Sequence, residues 1–339
     1  MMKNDLVIET RRNFEEYFRA TVLDNCPSEV LGLRDSVAYH FGWDGSAIVP
    51  GKRLRPLFLI LAHSALGGKP EDAFQAASAL EVFHNFTLIH DDIQDQGETR
   101  HGHPALWTKV GIPVAINIGD YLSGLSHYLM GNLPSVVSIA TQKAAQNEFQ
   151  QACLGVIQGQ QLDILYEKVD QISVEEYLAM IRLKTARLFS AAFAIGAKLR
   201  DCDPEFTERL KQIGCDLGLG FQIQDDYLGI WGHATATGKS VSTDLQARKK
   251  TFPAMTGLKN STFFQQLWHQ ENRPDDSHLL EMKAFLERAA IREDTINLAR
   301  VYYIETQTSL NQLLPIENEY AQALMSLVTS MFAPVLADS

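Results

Sequence analysis

Apolar residues recur at helical spacing along almost the whole chain, three and four positions apart. Alternating Val/Ile/Thr-rich runs joined by Asn-Gly or Asp-Gly turns, the mark of strands, are missing from the pattern. The spacing predicts helices over 5–24, 54–66, 70–95, 113–130, 134–166, 174–199, 204–230, 277–290, 293–314 and 316–335. Breakers fall between them. Gly67-Gly68 precedes Pro70, Asp203-Pro204 opens a helix, and Ser173 followed by Glu176 fits a capping box. No repeat or linker divides the sequence. One all-α domain over 1–339 is expected, a single large bundle of about ten helices. The segment 232–250, GHATATGKSVSTDLQARKK, is poor in apolar residues and reads as a surface loop.

Composition narrows the function. With 45% hydrophobic and 21% charged residues over 339 positions, the chain can bury a sizeable core. Its net charge of -11 argues against broad nucleic-acid binding and against docking on anionic lipid by bulk charge. Any anion it binds must be gripped by a local basic cluster. Cys26, Cys153, Cys202 and Cys215 form no CxxC pair, so free thiols are expected rather than a disulfide scaffold or zinc site. No apolar run reaches a membrane span, and the charges in MMKNDLVIETRRNFEEYF break up any signal-peptide core. A cytoplasmic protein is expected.

Two acidic stretches carry the first chemical signal. In Leu88–Asp95, LIHDDIQD, Asp91 and Asp95 share a helix face, and Asp92 stands beside Asp91. Carboxylates so close repel one another, and a helix C-terminus disfavours anions as well. A divalent cation removes the conflict, and hard oxygen ligands suit Mg²⁺. An isolated DDxxD is more often a solvated helix end, but here a nearly all-apolar run, SALEVFHNFTLIH, precedes it. The second stretch, GFQIQDDYLG, also ends a long apolar run, with Gln222, Asp225 and Gly229 on one face and Asp226 adjoining. Two acidic helix ends in the same setting look like facing halves of one metal site.

The basic groups complete the inventory. Gly51-Lys52-Arg53-Leu54-Arg55-Pro56 places three cations at a helix start, against the dipole, as a phosphate site would. Lys184-Thr185, Arg100, His101, Lys239 and Lys249-Lys250 are scattered beside apolar stretches, and His84 lies two turns before Asp91. Taken singly, His84 reads as a core histidine and Lys184 as a snorkelling lysine. Together, two carboxylate clusters, basic groups and apolar helices describe a substrate with a diphosphate head and a hydrocarbon tail. Magnesium would stabilise the departing diphosphate, and an apolar cavity would keep the resulting allylic cation from water.

The ordered motifs GKRLRP, ExxH ending at His84, DDIQD, GDYL, GQQLD, LKT, FQIQDD, TGK and DLxxRKKT resemble the trans-isoprenyl diphosphate synthases, or polyprenyl synthetases. The resemblance implies an all-α isoprenoid synthase fold around a central cavity, a homodimer, and three Mg²⁺ ions per site. It implies condensation of isopentenyl diphosphate with an allylic diphosphate, the proton being lost to the departing diphosphate. Carried over by position, Asp91, Asp95 and Asp225 are metal ligands, supported by Asp92 and Asp226. Lys52, Arg55, His84 and His101 fall to isopentenyl diphosphate. Arg100, Lys184, Thr185, Gln222, Lys239 and Lys249 fall to the allylic diphosphate, with Lys184, Gln222 and Lys239 nearest the chemistry.

Three positions depart from the family pattern: Gly229 replaces the third Asp of the second motif, His101 replaces an Arg, and His233 an Asp. A non-catalytic subunit of a heteromeric synthase therefore stands as an alternative, as does a terpene cyclase, which uses the same ionisation chemistry. Product length should be set below the first acidic turn. Phe86 lies five residues before Asp91, about 7.5 Å along a helix axis. Phe86 followed by Thr87 resembles synthases of C20 geranylgeranyl diphosphate. Phe83, one turn earlier, shares either that role or simple core packing.

Overall fold

The computed structural model describes residues 2–45, 51–100, 102–232, 243–269, 274–315 and 317–337. In chain order the helices are α1 (Met2–Asp24), α2 (Leu33–Phe41), α3 (Leu54–Ala65), α4 (Phe74–Gln94), α5 (Leu106–Val110) and α6 (Ile112–Gly131). They continue with α7 (Ile139–Glu167), α8 (Val174–Ile181), α9 (Arg187–Lys198), α10 (Pro204–Trp231), α11 (Thr243–Gln246) and α12 (Phe252–Asn260). The last are α13 (Thr262–Trp268), α14 (Asp276–Arg288), α15 (Ile291–Leu313), α16 (Glu319–Met331) and α17 (Ala333–Ala337). The all-α expectation holds. Among the described residues the only strands are a two-residue antiparallel pair, β1 (Thr99–Arg100) and β2 (His103–Pro104).

The long predicted helices are present, with three adjustments. The run 70–95 opens as a 3₁₀ turn, Pro70–Ala73, before α4. The run 174–199 is interrupted by a π-helical turn, Arg182–Ala186, between α8 and α9. The run 316–335 starts at Glu319 as α16, because the Asn318 carboxamide oxygen accepts the Tyr320 and Ala321 amides at 2.8 and 3.2 Å and caps it. The Ser173–Glu176 capping box closes as read, with Ser173 Oγ accepting the Glu176 amide at 3.1 Å. Helices α2, α5, α11, α12 and α13 were not predicted, α11 falling in the stretch read as a loop. They span four to nine residues, too short for a periodic pattern to stand out.

The chain divides into two compact units: Met1–Cys153 with Ala191–Lys211 and Leu313–Leu327, and Leu154–Ser190 with Gln212–Gln312 and Val328–Ser339. In the first, α3 is buried all round from Pro56 to Ala65, and α4 buries Ala76, Ala77, Ala79, Leu80, Val82 and Phe83. Helix α1 stacks Phe14 on Phe18, and Phe18 meets Phe41 and Trp43 edge-on at 5.3 Å. In the second, Ile223, Tyr227 and Ile230 of α10 lie in a core with Leu258, Phe264, Met282 and Leu286. Among the described residues no helix is long and apolar enough to cross a membrane.

Candidate active site

In the first unit, α4 ends in the first acidic turn. Most of its body is buried, Ser78, Glu81 and Asn85 included, and the acidic turn comes at its C-terminal end. Asp95 caps the helix, its amide bonded to the Asp91 carbonyl at 2.8 Å. Asp91 is half-buried and Asp95 exposed. Asp92 differs from both. It is buried, and Arg100 of β1 holds both its oxygens, Nε at 2.8 and 2.9 Å and Nη2 at 2.6 Å. Burial works against the Arg100 charge, but Asp92 outweighs it and raises the guanidinium above its ordinary pKa. The ribbon thus internally neutralises the middle carboxylate and turns Asp91 and Asp95 into the accessible pair.

The basic turn before α3 splits three ways. Arg53 is not a surface anion-binder. It is buried in left-handed backbone (φ 52), bonded to Glu15 and Glu81 at 2.9 Å each, with its guanidinium over the Phe18 ring at 5.2 Å. Lys52 is exposed, and Arg55 is half-buried with Nη1 3.1 Å from His84 Nε2. Burial, reinforced by Arg55, Arg100, Arg53 and His40, pulls His84 well below the usual imidazole range. The ring is therefore neutral and accepts from Arg55. Burial also lowers Arg55 to about 10, opposed by Glu81. Glu81 is a residue that sequence reasoning passed over, although it opens the ExxH motif. Besides Arg53 it accepts from Asn85 Nδ2 at 3.2 Å.

Below the acidic turn, Phe83 is 1% exposed and packs edge-on against Phe149 and His127 at 5.9 and 6.5 Å. Phe86 is half-buried, touching Phe83 and His90 at 5.3 and 4.7 Å. Thr87 turns its hydroxyl back to the His84 carbonyl at 2.7 Å.

In the second unit, α10 carries the other acidic turn. Asp225 is exposed, while Asp226 is 3% exposed and fully engaged. It accepts from the Tyr177 hydroxyl, from Gln222 Nε2 at 3.0 Å and from the Phe252 amide at 2.9 Å. Burial pushes its carboxyl up to about 7 despite these donors. Gln222 links two predicted residues, since its oxygen accepts from Thr185 Oγ1 at 2.7 Å while its nitrogen donates to Asp226. Lys184 pairs with Asp163, the Asp of GQQLD. Both Lys184 and Thr185 sit on the π turn, a distortion that often marks functional positions. Gly159 permits that turn, because a Cβ there would lie 2.2 Å from the Lys184 nitrogen. Tyr177 had no sequence signal beyond its place on an amphipathic helix. Lys249 is exposed. His101, Lys239 and His233 lie outside the described residues.

Among the described residues, no three acidic, imidazole or thiol groups converge on one point to hold an ion. The donor chemistry still fits magnesium. Half-buried Asp91 and exposed Asp95 and Asp225 are hard oxygen donors, and Mg²⁺ takes one or two carboxylates while keeping waters and substrate phosphates.

The polyprenyl synthetase family model matches residues 45–287. Geranylgeranyl diphosphate synthase of Sulfolobus acidocaldarius is 33% identical over 291 residues, 81% of this chain and 83% of that protein. (2E,6E)-Farnesyl diphosphate synthase of Mycobacterium bovis is 36% identical over 226 residues, covering 65% of this chain and 62% of that protein. The crystal structure of a polyprenyl synthetase from Streptomyces coelicolor superposes with a TM-score of 0.85 at 30% identity, over 97% of this chain and 99% of that one.

Proposed function

The chain belongs to the polyprenyl synthetase family, and we propose that it condenses isopentenyl diphosphate with an allylic diphosphate to give a short trans-prenyl diphosphate, C20 geranylgeranyl diphosphate before C15. The observation that carries this reading is the pair of acidic helix ends. In each, one aspartate is buried and hydrogen-bonded while another, Asp95 or Asp225, is exposed as a hard donor.

Members of the family are generally magnesium-dependent. Asp91, Asp95 and Asp225 would hold the ions, three per site, with Asp92 and Asp226 fixing the turns. Bound magnesium would supply positive charge to the leaving diphosphate. The rest falls to the chain. Lys52 and Arg55 bind isopentenyl diphosphate, with neutral His84 steering Arg55, and His101 adds to the same site. Arg100, Lys184, Thr185 and Lys249, with Lys239, bind the allylic diphosphate, and Gln222 orients Thr185. The allylic C–O bond breaks, the isopentenyl double bond attacks the cation, and the new cation loses its proton to the departing diphosphate. Lys184 offsets charge on that leaving group, and Phe86 limits the growing chain.

We place the enzyme in the cytoplasm as a homodimer. Ile112 and Ile116 are an exposed i, i+4 apolar pair on α6 that suits a partner copy. The test is incubation of the purified protein with Mg²⁺, isopentenyl diphosphate and a C5, C10 or C15 starter, sizing products by chromatography. C20 product that requires isopentenyl diphosphate is expected. A cyclised hydrocarbon formed without it, or no diphosphate release, would overturn the reading.

A further inference from the structure

The first unit holds a groove that the proposed chemistry does not use. Its volume is about 840 Å³, and it runs along one face of α1, opposite Arg34 at the start of α2 and Gly42-Trp43 beyond the end of α2. The α1 wall reaches from Ile8 to Asp24, about 24 Å at 1.5 Å per residue. Arg11, Arg12, Arg19 and Arg34 line the groove, and among the described residues none of the four is in an ion pair. Arg11, Arg19 and Arg34 each donate to a backbone carbonyl, of Gly51 at 3.2 Å, Trp43 at 3.3 Å and Leu23 at 3.1 Å. Most of their donors are therefore uncommitted. Glu15 also lines the groove, but Arg53 and the Trp43 indole already hold it. That leaves exposed Glu16 and Asp24 against four guanidiniums, a locally positive site in a chain of net charge -11. Between the cations the wall is hydrocarbon. Ile8 is 65% exposed, and Ala20 and Leu23 follow it along α1.

We propose that this groove is a second, metal-independent site for a phosphate group carried on a hydrocarbon chain. Guanidinium forks match phosphate oxygens, the apolar wall suits the chain, and the volume is that of a small-molecule pocket. The inference rests on the proposed function only in making the enzyme's own class of product the occupant, free in solution rather than as a lipid headgroup in a membrane. The groove also borders the basic turn before α3. Arg11 holds the Gly51 carbonyl and Glu15 holds Arg53, the two neighbours of Lys52. An occupant that recruits Arg11 draws it from Gly51, so KM for isopentenyl diphosphate should rise as the groove fills.

Dodecyl phosphate is the probe, since its saturated chain cannot ionise as an allylic diphosphate does. It is titrated calorimetrically, below its micelle concentration and in EDTA, into wild type, Lys52→Ala and Arg12→Gln/Arg34→Gln. Arg12 and Arg34 are exposed, so the double variant should melt like wild type. Wild type and Lys52→Ala should bind alike, and the double variant about ten- to a hundredfold more weakly. In turnover with Mg²⁺, added probe should raise KM for isopentenyl diphosphate in wild type and not in the double variant. Equal binding by the folded double variant would overturn the inference, and so would loss of binding in Lys52→Ala, which would place the probe at the isopentenyl site. Sedimentation with anionic phospholipid vesicles that needs Arg12 and Arg34, without binding of free dodecyl phosphate, would overturn it in favour of a membrane surface. A wild type that binds the probe yet makes no prenyl product would overturn the proposed function and leave the groove's ligand chemistry standing.

Discussion

Lys52, Arg53 and Arg55 stand within four positions, yet their surroundings give them different work. Arg53 neutralises Glu15 and Glu81 inside the first unit, so Arg53→Ala should lower unfolding free energy by about 3–5 kcal/mol, the cost of stranding buried charge. Lys52 is exposed, so Lys52→Ala should leave urea unfolding within about 0.5 kcal/mol of wild type. It should raise KM for isopentenyl diphosphate with little change in kcat. Enzyme kinetics beside urea titrations would check both. His84 makes a pH prediction. Arg55 from α3, Arg100 from β1, His40 from α2 and Arg53 all face it, and burial depresses it further. The folded ring stays neutral where the unfolded one, with pKa about 6.5, takes a proton. The unfolded state then binds more protons below that pH, so stability falls as pH drops through about 6.5. His84→Gln can still accept from Arg55 but does not titrate. Its stability measured from pH 7 to 5 should be flatter than that of the wild type. An equal slope would remove His84 from the account.

At the scale of elements, the π turn Arg182–Ala186 is the feature that places Lys184 and Thr185, and Gly159 is what lets α7 approach it. Gly159→Ala would force apart backbone atoms now too close for a methyl group. About 1–3 kcal/mol of stability should go with it. KM for the allylic diphosphate should rise more than KM for isopentenyl diphosphate, because Lys52 and Arg55 lie on the other unit. Two-substrate kinetics would separate these effects. The long helices α1, α3, α4, α6, α7 and α10 were legible in the sequence, since each buries an apolar run long enough for its period to show. The π turn was not. Its local sequence, RLKTA, is an ordinary helical one, and the close approach of Gly159 to it is a tertiary contact that no local pattern records. Likewise the β1–β2 ribbon is two residues a side, and what holds Arg100 there is its bond to Asp92.

Over the whole molecule, the sequence revealed which residues carry charge but not which of those charges neutralise one another. Asp91, Asp92 and Asp95 look alike as letters, as do Asp225 and Asp226. Folding separates them by burial, closing Asp92 onto Arg100 and Asp226 onto Tyr177 and Gln222. The same separation by burial bears on product length, where Phe83 and Phe86 were both candidates. Phe83 is enclosed by Phe149 and His127, so Phe83→Ala should cost about 3–5 kcal/mol through the cavity it leaves. Phe86 keeps part of its surface open and leans on Phe83 and His90, so its loss should disturb packing less. A growing prenyl chain stopped by the Phe86 ring would pass once the ring is removed. Phe86→Ala should therefore shift the products of the purified enzyme beyond C20 while its melting temperature stays closer to wild type than that of Phe83→Ala. Chromatography of the dephosphorylated products would show the shift, and an unchanged spectrum from a folded Phe86→Ala protein would mean that the chain is measured elsewhere.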